Sequence, residues 1–173
     1  MANWIHRSAR LLRHRWAEGR LGQAIPTALV EQLTRAIALS ELRHTGQVRI
    51  CVEAGLPVNY LWRGATARER ALAMFSKLRV WDTEHNNGVL IYLLLADHAI
   101  EIVADRGLAR HVPPDTWNAL VSGMGSALRA SRYEDALAQA LSQVSALLEQ
   151  HFAATPGEVR RNELPDAPFL AGL

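Results

Sequence analysis

Apolar residues in this chain fall into continuous or alternating runs and into runs of helical spacing. The longest continuous run is Val89 to Ala96, and a shorter one, Ala99 to Ala104, follows a two-residue polar break at Asp97-His98. A polar turn cluster, Asp82-Thr83-Glu84-His85-Asn86-Asn87-Gly88, precedes the first run, and Asp105-Arg106-Gly107 closes the second. Apolar runs bounded by turn residues predict two strands, 88–96 and 98–104, joined by a tight hairpin. Upstream, residues 47–54 alternate, with Val48, Ile50 and Val52 against Gln47, Arg49 and Glu53, which predicts another strand.

Helical spacing fills the intervals. Pro26 suits a first helical turn, and Leu29, Val30, Leu33, Ile37, Leu39 and Leu42 supply a buried face to about His44. After a loop at 58–64, Thr66 and Glu69 form a capping-box pair opening a helix to Leu78, with Ala71, Leu72, Phe75 and Leu78 inward. Two further helices are predicted, at about 115–130 and from Tyr133 to about Phe152. From Thr155 the chain turns Pro-, Gly- and charge-rich and reads as an irregular tail. The first strand, its helix and the second strand suit a right-handed parallel crossover. An apolar-throughout second strand is expected where both faces are covered. The expectation is a three-layer α/β/α sandwich, a small mixed sheet flanked by helix pairs, over residues 21–154, with an arm at 1–20 and a tail at 155–173.

Charge changes the picture at one end only. The formal charge is +2, but residues 1–20 carry five arginines against Glu18, and the remainder holds 14 basic against 16 acidic residues. In the arm, Ile5, Ala9, Leu12 and Trp16 recur at helical spacing with arginines around them, which predicts a basic amphipathic helix. Three uses are open to it: Trp16 and Leu12 pack on the domain, residues 3–20 dock on an anionic membrane surface or a membrane protein, or they meet nucleic acid. The near-neutral body argues against nucleic acid. The arginines also interrupt any signal-peptide core, and no run suits a membrane span. One cysteine, Cys51, lies in an apolar segment and reads as a small buried hydrophobe in a reducing compartment. The expected location is cytoplasmic, peripheral at the inner membrane face. The oligomeric state is not legible.

The strand directions sort the polar groups onto two rims. The start of the second strand, the end of the third and the start of the first should meet, collecting Asp82, Glu84, His85, Asn86 and Asn87 with Asp105 and Arg106. The far rim collects Glu53, Asp97 and His98. Oxygen donors from Asp82, Glu84, Asn86, Asn87 and Asp105 suit a hard cation, Ca²⁺ or Mg²⁺, and Arg106 suits a phosphate oxygen. The same residues are also ordinary turn chemistry, since Asn87-Gly88 is a common turn pair and Asp or Asn side chains cap their own backbone. No GxSxG, P-loop, HExxH or GxGxxG motif is present.

Four stretches carry a resemblance: HTGQVRICVE at 44–53, WDTEHNNGVLIYLLLADHAIEIVADRG at 81–107, the Trp117 helix, and NELPD at 162–166. Over about residues 25–166 the chain resembles the TPM domain family, in its short stand-alone bacterial form without signal peptide or C-terminal membrane helix. The resemblance implies an α/β/α sandwich, divalent-cation binding (notably calcium) in some bacterial members, and a proposed acid-phosphatase activity in some plant ones. The family's polar rim matches at Asp82, Asn87 and Asp105, making Asp82 and Asp105 the candidate catalytic or ligand groups. Two features depart from the pattern. The D-R-G end at 105–107 replaces a Gly-Tyr-Gly type of turn, and the Arg-rich arm has no counterpart. The expected role is a cation-binding, non-catalytic adaptor for membrane-protein assembly or maintenance, with cation-assisted phosphomonoester hydrolysis as the alternative.

Overall fold

The structure, a computed structural model, describes residues 2–155, 157 and 161–171, with side chains from Ser8 onward. The described elements, in chain order, are α1 (Ala2–Glu18), α2 (Leu21–Ala24), α3 (Thr27–Ser40), β1 (Gln47–Glu53), α4 (Val58–Trp62) and α5 (Ala67–Lys77). Then follow β2 (Gly88–Leu94), β3 (Ala99–Ala104), α6 (Arg106–Ala109), α7 (Pro114–Gly123), α8 (Gly125–Arg129), α9 (Tyr133–His151) and β4 (Phe169–Ala171).

The sheet order is β3-β2-β1-β4, with β1 parallel to β2 and β4, and β3 antiparallel to β2. Both central strands are buried along their whole length. On one face Val48, Ile50 and Val52 of β1, with Val89, Ile91 and Leu93 of β2, pack against α3 and α9 through Leu29, Leu33, Ile37, Ala140, Val144 and Leu148. On the other, Cys51, Leu90, Tyr92 and Leu94 meet Leu61 of α4 and Ala71 and Met74 of α5. The layers are therefore α/β/α, as the pattern predicted. Thr66 closes its capping box with Glu69 at the head of α5, satisfying two otherwise orphan N–H groups.

Several expectations are corrected. The tail is not irregular throughout: Phe169–Ala171 adds a parallel strand beside β1. The reason lies in the polar positions of β1, which alternate in sequence yet are buried. Gln47 accepts N–H bonds from Glu163 and Leu164 at 2.8 and 3.0 Å, and Arg49 donates to the carbonyls of Pro165 and Ala167. These polar side chains serve as the seam that straps the C-terminal segment to the sheet. The hairpin is looser than a tight turn. β2 ends at Leu94, a 3₁₀ turn spans Leu95–Asp97, and His98 sits in the left-handed region at φ 47°. The helix expected at 115–130 breaks at Met124, between Gly123 and Gly125. Met74, rather than Leu72, fills the inward position of α5, and Leu39 and Leu42 point outward because α3 stops at Ser40.

The arm is a helix, and it docks with its polar side. Arg10, Arg13 and His14 converge on Asp97 of the hairpin turn, and Leu11 packs against the α4–α5 side of the core. Leu12 and Trp16, the residues expected to pack, remain 64% and 72% exposed. The Arg7 side chain and the Ile5 contact lie outside the described side chains.

Candidate functional site

The near rim is assembled by backbone pairing. Val89 pairs Ala104, the Asp105 N–H donates to the Gly88 carbonyl at 2.8 Å, and the Gly107 N–H donates to the Asn86 carbonyl at 2.8 Å. The end of β3 is thus stitched to the loop that opens β2, as the topology predicted. Two glycines make the approach feasible. A Cβ at Gly88 would strike the Val80 carbonyl, and one at Gly107 would strike the carbonyls of His85 and Asn86. Asn86 turns the chain from the left-handed region at φ 51°, which Asn tolerates better than most residues.

Within this frame the predicted residues separate. Asn86 Oδ1 accepts from Arg106 Nε at 2.9 Å. Asn87 is fully buried, its N–H donating to Thr83 Oγ1 at 3.2 Å and its Nδ2 to Thr45 Oγ1 at 3.3 Å. Asp105 caps α6, Oδ1 accepting the Arg106 N–H at 2.7 Å. Asn87 Oδ1 and Asp105 Oδ2 are left buried without any hydrogen-bond partner among the described residues. Both belong to residues that flank Gly88, one preceding it in the chain and the other bonded to its carbonyl. A buried oxygen without a donor costs on the order of 1–3 kcal/mol, and each of these two carries that cost.

Asp82 and Glu84 stand elsewhere on the loop. Both are exposed, and Glu84 is engaged through its N–H, which donates to Glu163 Oε2 at 2.9 Å. Among the described residues no three His, Cys, Asp or Glu side chains converge on one point. A cation here would therefore be held by a mixed set, Asn and Asp oxygens with backbone carbonyls. That donor chemistry fits calcium or magnesium and does not fit a softer metal. The Arg106 side chain is otherwise exposed.

Next to the rim, a cavity of about 270 Å³ is lined by Glu41, His44, Gln47, Glu84, Glu163 and Asp166, among others. Burial pushes the Glu41 carboxyl up to about 7, against the opposing effect of the Val48 N–H that bonds it at 2.8 Å, and Asp166 adds to the rise. Sequence reading missed Glu41 and Glu163 at this place. Glu163 had one sequence signal, its place in the NELPD stretch of the resemblance, and Glu41 had none, since nothing local links positions 41 and 163.

The far rim holds the other acidic residues, and each is saturated. Glu53 receives Arg70 through two bonds of 2.7 and 2.6 Å and the Tyr92 hydroxyl at 2.6 Å, while the Arg70 guanidinium lies 4.9 Å from the Tyr60 ring centre. Burial, reinforced by Glu53, pushes the Tyr92 hydroxyl far above its usual range. Burial alone would raise the Asp97 carboxyl, but His14, Arg10 and Arg13 hold it well below the carboxylate range. The Leu56 N–H donates to His14 Nδ1 at 2.9 Å, which leaves the ring proton on Nε2, aimed at Asp97 Oδ1 3.2 Å away. His98 bonds the Leu128 carbonyl at 3.0 Å and stacks with Tyr133. Cys51 is buried, and its thiol is pushed far up by that burial, so it is an inert core group.

Comparison with known proteins agrees with this architecture. A model of the TPM domain matches residues 22–147. The NMR structure of the BA42 protein from the psychrophilic bacterium Bizionia argentinensis is similar at TM-score 0.70. It shares 21% sequence identity, and the match covers 83% of this chain and 93% of that one. At that identity the likeness shows the fold. No curated protein matches the sequence. No helix among the described residues is long and apolar enough to cross a membrane.

Proposed function

The chain belongs to the TPM domain family, and from that premise we propose that it is a divalent-cation-binding, non-catalytic adaptor serving membrane-protein assembly or maintenance. The observation that carries this reading is the pair of buried, unpartnered oxygens, Asn87 Oδ1 and Asp105 Oδ2, beside Gly88. Calcium or magnesium would supply the missing positive charge there and tie the start of β2 to the end of β3. Asn87 and Asp105 are the side chains that would hold it, with Asn86, Asp82 and Glu84 on the same loop as outer or water-mediated donors. In this reading the protein works in the cytoplasm, peripheral at the inner membrane face, meeting a membrane protein or an anionic surface through residues 3–20, without nucleic acid.

The test is a titration of the full chain with calcium and with magnesium, read by thermal unfolding and by the Asn87 and Asp105 amide signals. Binding to the folded state adds stability by mass action, about 2.7 kcal/mol at a hundredfold excess over Kd. Asp105→Asn keeps the cap on α6 and should lose most of that gain. A melting temperature that ignores both ions would refute the site.

The second reading, phosphomonoester hydrolysis with Asp82 and Asp105 as ligands or acid/base groups, is favoured by one observation. The exposed Arg106, whose backbone N–H bonds Asp105 Oδ1, carries a guanidinium that suits a phosphate oxygen. Turnover of a chromogenic phosphate ester that disappears in both Asp82→Ala and Asp105→Ala would favour it over the adaptor.

A further inference from the structure

Helix α1 sits on the domain the reverse way for an amphipathic helix. Arg10 and His14 face inward to Asp97 beside Leu11 and Ala17, and the apolar stripe of Leu12 and Trp16 faces out. Leu12 and Trp16, four residues apart on that stripe, are among the most exposed large apolar side chains of the molecule. Beside them, between α1 and the hairpin turn, lies a groove of about 810 Å³ walled by Leu12, Trp16, Ala17, Leu95, Ala96 and Tyr133. Its charged lining is Arg13 and Arg20, with no Asp or Glu. The Arg20 guanidinium lies 6.0 Å from the centre of the Trp16 ring. Counting Arg10, Arg13, Arg15 and Arg20 against Glu18 and Asp97, the patch stays net positive.

An exposed Trp and Leu flanked by arginines match an interface of apolar chains under anionic headgroups, where Trp sits at the boundary and arginine meets phosphate. Nucleic acid would use the charge and leave the Leu12–Trp16 stripe in water. We propose that the outward stripe of α1, with the groove beside it, docks on a bilayer of anionic phospholipid. Trp16 and Leu12 enter the headgroup–acyl boundary, and Arg20 faces the phosphates. The Asp97 fork sets this orientation by engaging Arg10, Arg13 and His14, so the apolar stripe leads. The inference deepens the adaptor reading, which already brings residues 3–20 to a membrane protein or an anionic surface, and it shares no residue with the cation rim.

The experiment is sedimentation of the full chain with phosphatidylcholine vesicles, with and without phosphatidylglycerol, in chelator. Expected is binding that needs phosphatidylglycerol, weakens with salt, and falls roughly tenfold or more in Leu12→Ser/Trp16→Ser, since each loses apolar area that the interface would cover. Both side chains are exposed, so circular dichroism and the melting temperature should match wild type. Equal binding by the double variant, or binding indifferent to phosphatidylglycerol, overturns the proposal. So does self-association through these residues without vesicle binding, which would assign the stripe to a second copy. A calcium shift in the vesicle-silent protein would sink this surface alone and leave the cation rim standing. Vesicle binding without a calcium shift would do the reverse.

Discussion

At the far rim of the sheet, Glu53 and Asp97 are carboxylates surrounded by donors. At the near rim, Asn87 Oδ1 and Asp105 Oδ2 are buried with no hydrogen-bond partner among the described residues. Burial acts on both rims, yet it ends in opposite places. Three cationic or N–H partners keep Asp97 ionised deep into acid, whereas at Glu41 burial outweighs the Val48 N–H bond and the carboxyl holds its proton to about pH 7. A buried acid with its partners present is structure. Buried oxygens lacking them are the atoms on which the cation proposal rests.

The comparison can be broken by removing partners from the satisfied rim. The largest effect should come from Arg70→Met, which strands Glu53 in a site only 4% exposed and costs about 3–5 kcal/mol in urea unfolding. A loss below about 1 kcal/mol would mean the far rim is as loosely held as the near one. Asp97→Asn comes next. It removes the common anchor of Arg10, Arg13 and His14 and should cost about 1–3 kcal/mol while speeding hydrogen exchange across α1. Because the Asp97 pKa is depressed on folding, its contribution is complete above the ordinary 3.8 and fades only as pH falls through the lower folded value. The arm should accordingly stay protected at mildly acid pH. Unchanged exchange at residues 8–18 in the variant would show that apolar contacts alone hold α1.

The smallest effect sharpens the near rim. Glu41 has a folded pKa raised from 4.5 to about 7, so its contribution is full below pH 4.5 and declines as pH rises to about 7. Glu41→Gln cannot ionise, and its stability relative to wild type should increase across that window and level off above it. A flat difference between the two unfolding midpoints would remove Glu41 from the contrast.

Much of the fold was legible because it rests on local pattern. The uninterrupted run at 89–96 specified a strand covered on both sides, and Thr66 with Glu69 specified a helix start. The meeting of the β2 start with the β3 end followed from strand direction alone. What misled was polarity read as exposure. Gln47, Arg49 and Glu53 alternate like a solvent face, but each is buried because a distant group answers it: the 163–167 backbone for the first two, Arg70 and Tyr92 for the last. For the arm, packing of Trp16 and Leu12 on the domain was one of three readings, and the fold turned those two residues outward.

The sequence by itself determined the main strands and helices, the three layers and the rim where the start of β2 meets the end of β3, because periodicity and turn chemistry are properties of neighbours in the chain. Only the tertiary structure decided which polar atoms find partners. It gave Asp97 to the arm and the β1 polar seam to the C-terminal strand, and it left Asn87 Oδ1 and Asp105 Oδ2 without donors. Hydrogen-bond satisfaction is settled between residues far apart in sequence, as with Arg10 and Asp97 or Arg49 and Ala167, and no local pattern encodes it.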